Sequence, residues 1–201
     1  MAKKNKNQKG YSSRKVNTRE VRQRFLIVCE GEKTEPNYFR SFRVPKNVIE
    51  IDIKGLGQNP SKLVNSAKKL NEKEDYDQVW CVFDRDAWTK EDFNNAIKNA
   101  EDWEFQVAYS NEAFKLWYVL HFEFLSSGIP RSDYIKKLKS LLGHKYQKNS
   151  DTIYEELFDK EPTAIKNAIT LLKQYNPHNP VDDNPSTTVH LLVQELNKFI
   201  P

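Results

Sequence analysis

Two apolar runs too short for helices, Phe25-Leu26-Ile27-Val28-Cys29 and Val79-Trp80-Cys81-Val82-Phe83, each lead straight into carboxylates: Glu30-Gly31-Glu32 after the first, Asp84-Arg85-Asp86 after the second. Short runs this rich in β-branched and large apolar residues read as strands buried on both faces, the pattern of a parallel sheet covered by helices. Ligands of such sheets bind beyond the carboxyl ends of the strands. If the two strands are neighbours, Glu30, Asp84 and Asp86 meet in one crevice. Carboxylates brought together repel, and a cation relieves the repulsion. An all-oxygen donor set selects a hard ion, so the expected guest is Mg²⁺ or Mn²⁺.

The rest of the first half keeps the rhythm of strand and helix. Thr34-Glu35-Pro36 opens a helix running to about Arg43, with Thr34 as its N-cap and the proline in the first turn. Val48–Ile53 is the second strand, closed by Gly55-Leu56-Gly57, and Asn59-Pro60-Ser61 starts a helix whose Leu63, Val64, Ala67 and Leu70 keep helical spacing. Gln78–Phe83 is the third strand, Glu91–Asp102 a helix, and Phe105–Tyr109 the fourth strand. The expected class is α/β: a mostly parallel four-stranded sheet flanked by helices. After Asn111 no strand is expected, only helices over Glu112–Phe124, Arg131–Leu142, Ile153–Phe158, Thr163–Tyr175 and Thr187–Phe199, with breaks at the Gly- and Pro-containing segments between them. The division read from this is a basic arm over 1–24, an α/β domain over 25–124, and a helical extension over 125–201 packed on the same domain.

Charge is distributed unevenly. Residues 1–24 carry nine Lys and Arg against Glu20, a net +8, so the net +4 of the chain leaves −4 on the remainder. A basic, apolar-poor segment has little surface to bury and is expected to be mobile; it suits nucleic-acid phosphates and equally a solubilising role. No run is long and apolar enough to span a bilayer, and Met1–Lys6 lacks the apolar segment of a signal peptide, so the expected location is cytoplasmic, without membrane. Cys29 and Cys81 lie inside apolar strands and read as buried, reduced thiols that neighbouring strands would bring close.

Four blocks resemble one known family. Val28-Cys29-Glu30-Gly31-Glu32-Lys33-Thr34-Glu35-Pro36-Asn37-Tyr38-Phe39, then Phe83-Asp84-Arg85-Asp86, Ser110-Asn111-Glu112-Ala113-Phe114-Lys115-Leu116-Trp117 and Asn184-Pro185-Ser186-Thr187 are similar, in this order, to RloB-like bacterial proteins. Those proteins look like compact members of the Toprim superfamily, which includes catalytic domains of DnaG-type primases, topoisomerases and OLD-family nucleases. The resemblance implies a Toprim-like sheet, divalent-metal phosphodiester chemistry, and a setting in phage defence or beside restriction-modification genes with an ATPase partner. Glu30 fills the place of the Toprim glutamate, and Asp84 with Asp86 that of the Asp-x-Asp pair. Glu32, Lys33 and Glu35 come from the narrower family likeness. The implied function is a Mg²⁺-dependent nuclease cleaving DNA or RNA. A non-catalytic subunit that binds nucleic acid or an ATPase is the alternative, and nucleotidyl or phosphoryl transfer a third.

Each candidate has an ordinary counterpart. Glu30 as ligand or general acid/base competes with a helix-capping Glu30 or one paired to Arg85, and Asp84 and Asp86 with an Asx turn. Lys33 or Lys115 can stabilise charge on a phosphate, although surface lysines are ordinarily solvated. Asn111 and Glu112 at the end of the fourth strand are in reach of the same crevice, against helix capping by Asn111. His121 reads as a core histidine, Trp117, Tyr118, Phe122 and Phe124 as core aromatics, and the charges from Lys136 to Lys148 as a solvated face. Gly31-Glu32-Lys33-Thr34 lacks the upstream glycine of a nucleotide-binding P-loop.

Overall fold

The computed structural model describes residues 22–85 and 88–200. Strands β1 (Gln23–Cys29), β2 (Ile49–Gly55), β3 (Gln78–Asp84), β4 (Gln106–Asn111) and β5 (Ser186–Thr187) make one sheet in the order β2-β1-β3-β4-β5. β1 to β4 are parallel, and β5 runs antiparallel to β4. Helices α1 (Thr34–Arg40), α2 (Pro60–Asn71), α3 (Lys90–Asp102), α4 (Lys115–Leu120), α5 (Arg131–Leu142), α6 (Ile153–Leu157), α7 (Glu161–Leu172) and α8 (Val189–Asn197) flank it.

The strand order places the switch point between β1 and β3. From β1 the chain moves outward through α1 to β2, then returns past β1 through α2 to β3 and onward through α3 to β4. Because parallel crossovers keep one hand, helices on outward and returning paths lie on opposite faces. Two cores result. Phe25, Ile27 and Cys29 face Tyr38, Phe39 and the second-half helices, whereas Leu26, Val28, Val79, Cys81 and Phe83 face Leu63, Val64, Ala67, Phe93 and Ala96 of α2 and α3. Alternation along a strand therefore sends the two thiols to opposite faces, although Val28 is level with Cys81 in the register. Cys29 and Cys81 are buried and free, as expected, and lie on adjacent strands but in different cores.

The second half fills the first core. Trp117, Tyr118, Tyr134, Leu138, Leu171 and Leu192 are fully buried there, and the Trp117 indole donates to the Tyr38 hydroxyl at 2.8 Å. Around Tyr38 the rings of Phe39, Phe42, Phe114 and Tyr154 meet edge-on or tilted, the arrangement aromatic quadrupoles favour.

Several expectations are corrected. The sheet has five strands, not four: Ser186-Thr187 is a strand, and the helix expected from Thr187 begins at Val189. Nothing apolar or alternating marks these residues; hydroxyls dock them, with Thr187 donating to the Tyr109 carbonyl at 2.9 Å and Thr188 to the Val107 carbonyl at 3.1 Å. The helix expected over Glu112–Phe124 shrinks to Lys115–Leu120, and Phe124 is 41% exposed rather than core. Thr34 is the first residue of α1 and not its cap, and Lys33 in the cap position makes no side-chain capping bond. By contrast, Asn59 caps α2 as a short polar side chain before a proline should, accepting the Lys62 N–H at 2.9 Å. The basic arm lies outside the described residues up to residue 21, and β1 takes in Gln23 and Arg24. Arg24 pairs with Glu74 at 2.6 Å.

Candidate functional site

The parallel pairing of β1 with β3 brings Glu30 to the last residue of β3. Glu30 follows Cys29, which is level with Val82, and its own N–H donates to the Val82 carbonyl at 2.8 Å. Its carboxylate turns across the strand ends, accepting the Asp84 N–H at 3.0 Å and the Trp88 indole N–H at 2.8 Å. Burial raises the Glu30 pKa, and these two donors oppose the rise. The pairing of Glu30 with Arg85 considered from sequence is not what forms: the Arg85 guanidinium donates to the Trp88 carbonyl at 2.5 Å.

Gly31 lets a second carboxylate in. A Cβ there would sit 1.9 Å from Glu35 Oε2, so the Glu35 side chain lies directly against the glycine backbone. Glu35, 8% exposed, leaves that Oε2 buried without a hydrogen-bond partner. Burial lifts its pKa, while its own N–H and the cations Lys115, Arg131 and Lys148 pull it down. Asp84 is likewise 8% exposed. Burial, then the charges of Glu35 and Glu30, push its carboxyl well above the ordinary range against the Phe114 N–H and Lys115.

Glu30, Glu32, Lys33, Glu35, Asp84 and Lys115 all line one cavity of about 410 Å³ with Gly31, Thr34, Arg131, Lys148 and Asn149. Of these, Glu32 leans toward the segment after β2, where a Cβ on Gly57 would meet its Oε1 at 2.9 Å. Lys115 is 7% exposed, so the solvated reading does not hold for it. Asn111 and Glu112 are not in this cavity. They line a separate one of about 290 Å³ with Arg85, Val181, Asp182 and Asn184, and Asn111 caps no helix but donates to the Pro180 carbonyl at 3.1 Å. Asp86 lies outside the described residues. His121 is a core residue: its Nδ1 lies 2.8 Å from the Trp117 carbonyl, and burial brings its pKa down to about 4.

A family model for RloB-like protein matches residues 25–196. The chain belongs to the RloB-like family. No curated protein and no solved structure matches it. In this RloB-like chain the four resembling blocks divide between two tasks. The Glu30–Phe39 and Asp84 blocks and Lys115 build the cavity, whereas Asn184–Thr187 supplies the edge strand β5.

Among the described residues no three His, Cys, Asp or Glu side chains are grouped to hold one metal ion. The buried pair Asp84 and Glu35, with one oxygen lacking a partner, still fits a hard cation. Mg²⁺ keeps several waters and takes one or two protein carboxylates together with substrate phosphates. Trp88, Arg131, Lys148 and Asn149 are site residues that sequence patterns do not single out. Trp88 carries a faint signal, a lone tryptophan in a polar loop beside the acidic pair. Lys148 reads as part of a solvated face, because its place depends on a contact with α1 far away in sequence.

Proposed function

We propose that this RloB-like protein is a metal-dependent phosphodiester hydrolase acting on nucleic acid in defence against phage, with Asp84 and Glu35 as ligands of Mg²⁺ or Mn²⁺ and Asp86 joining them. The observation that carries this reading is the buried, mutually repelling Asp84–Glu35 pair, with an unpartnered oxygen, in a cavity that also holds cations. Two carboxylates buried this close repel, and a bound cation relieves that repulsion further than Lys115 alone does. A divalent ion there supplies charge neutralisation on the phosphate and a bound water of lowered pKa.

The protein's own groups account for the remaining needs of phosphodiester cleavage. Lys115, buried beside the pair, offers its ammonium to a non-bridging phosphate oxygen, where negative charge grows as the water attacks. Glu30 is fixed by the Asp84 and Trp88 N–H groups at the lip of the strand ends. Its raised pKa moves it toward the working range of a general acid or base. Among the described residues no helix is long and apolar enough to cross a membrane. The basic arm and an ATPase encoded beside the gene belong to the same reading as aids to substrate binding and triggering.

The test is to incubate purified protein, with and without the protein encoded beside it, with DNA and with total RNA in Mg²⁺ or Mn²⁺. Fragments that appear with metal and vanish with chelator are the expected result. Intact DNA and RNA in every arm would contradict it.

A further inference from the structure

Asn149 ties the helical second half to the helix that carries Glu35. Its side-chain oxygen accepts the Thr34 hydroxyl at 2.8 Å, and its backbone carbonyl accepts the Asn37 side-chain amide at 3.1 Å. Both partners are on α1. Asn149 holds φ at 66°, in the left-handed region that asparagine tolerates better than most residues. The segment between α5 and α6 is thus pinned to the cavity wall at its tip. Lys148, the residue before the pin, lines the cavity together with Arg131, the first residue of α5.

The cations are graded in depth. Lys115 is 7% exposed, whereas Arg131 and Lys148 are exposed. The Glu35 carboxylate feels Lys115 most, then Arg131, then Lys148. A ligand with one anionic group at the carboxylate floor would meet Lys115 there and present any second anionic group to the rim. At about 410 Å³ the cavity lies in the range of roughly 300–1,000 Å³ that engulfs a ligand larger than a single phosphate.

We propose that the pinned segment is a substrate clamp: Lys148 and Arg131 bind the phosphate next to the one that reacts at Asp84 and Glu35, so the site takes a polynucleotide backbone and not an isolated phosphate ester. This rests on the phosphodiester reading above. The clamp is built from the second half of the chain, which makes the helices part of the site and not only part of the core. Asn149 is a positioning residue in this account, acting through Lys148.

The experiment uses full-length protein in chelator with short fluorescent single-stranded DNA and RNA oligonucleotides, following anisotropy across a salt series. K148Q and R131Q are each expected to weaken binding several-fold and to flatten the plot of log affinity against log salt by about 0.7 per lost phosphate contact. N149G keeps the backbone conformation but removes the bond to Thr34, and is expected to weaken binding and flatten the plot in the same sense. K139Q, at an exposed position on α5 outside the cavity, is expected to leave the slope unchanged. Unaltered slopes in K148Q and R131Q, with wild type binding normally, would overturn the clamp and leave the phosphodiester reading standing. Failure of wild type to bind either oligonucleotide at low salt would overturn the clamp, while the phosphodiester reading stands or falls on the metal-dependent cleavage test above.

Discussion

At the residue scale the site turns on which carboxylate oxygens already have donors. Glu30 has two, the Asp84 N–H and the Trp88 indole, so it is both a candidate catalytic group and a structural tie between β1 and the loop after β3. Glu30→Gln would aim an amide NH₂ at one of them. A buried donor left without an acceptor costs about 1–3 kcal/mol. Denaturant unfolding of E30Q is therefore expected to show a loss of that order, and wild-type stability would mean the two bonds are not made. Asp84 behaves oppositely. Its pKa is raised in the fold, so its stabilising contribution is complete below the unfolded value of about 3.9 and is lost as pH rises through the folded value. The amide that D84N introduces has a carbonyl oxygen to accept the Phe114 N–H and does not titrate. In chelator, D84N is expected to melt above wild type at about pH 8, with the difference shrinking toward about pH 5. A difference that is constant with pH would contradict the raised pKa. The acidic motifs are legible in sequence because they follow unmistakable strands. The weight on Glu35 is not, since only the close approach at Gly31 reveals where its side chain goes.

At the scale of elements, the site exists because β1 and β3 are adjacent and because the turns after them are tight. Gly55, the last residue of β2, lies against the loop that follows β1: a Cβ there would be 2.6 Å from the Gly31 carbonyl oxygen and 2.7 Å from that of Glu32. Those are backbone atoms, so the loop carrying the site must move to admit a methyl group. Gly55→Ala is expected to cost about 1–3 kcal/mol in denaturant unfolding, the usual penalty of overpacking. An unchanged unfolding midpoint would show that the loop yields freely. Strands β1 to β4 and the helices between them are readable from periodicity and caps such as Asn59. β5 is not, because its two residues dock through hydroxyls and carry no pattern of their own. The pin at Asn149 is hidden for the same reason: a polar contact between distant segments leaves no periodic trace.

For the whole molecule, the division into an α/β half and a helical extension describes the order of elements better than the way the core is shared. Leu138, Ala164, Leu171, Leu192 and Val193 are fully buried in the same core as Phe25, Ile27 and Trp117. Removing everything after residue 124 would uncover that surface and take β5 from the sheet. The truncated chain is expected to show no cooperative thermal transition in circular dichroism; a sharp transition would show an independent α/β unit. The central claim, however, concerns the cation. Calorimetric titration of metal-free full-length protein with Mn²⁺ tests it most directly, comparing wild type with D84N and E35Q. Saturable binding by wild type is expected, weakened at least about tenfold in each variant, as the loss of a charged ligand demands. Equal Mn²⁺ binding by all three proteins would contradict it.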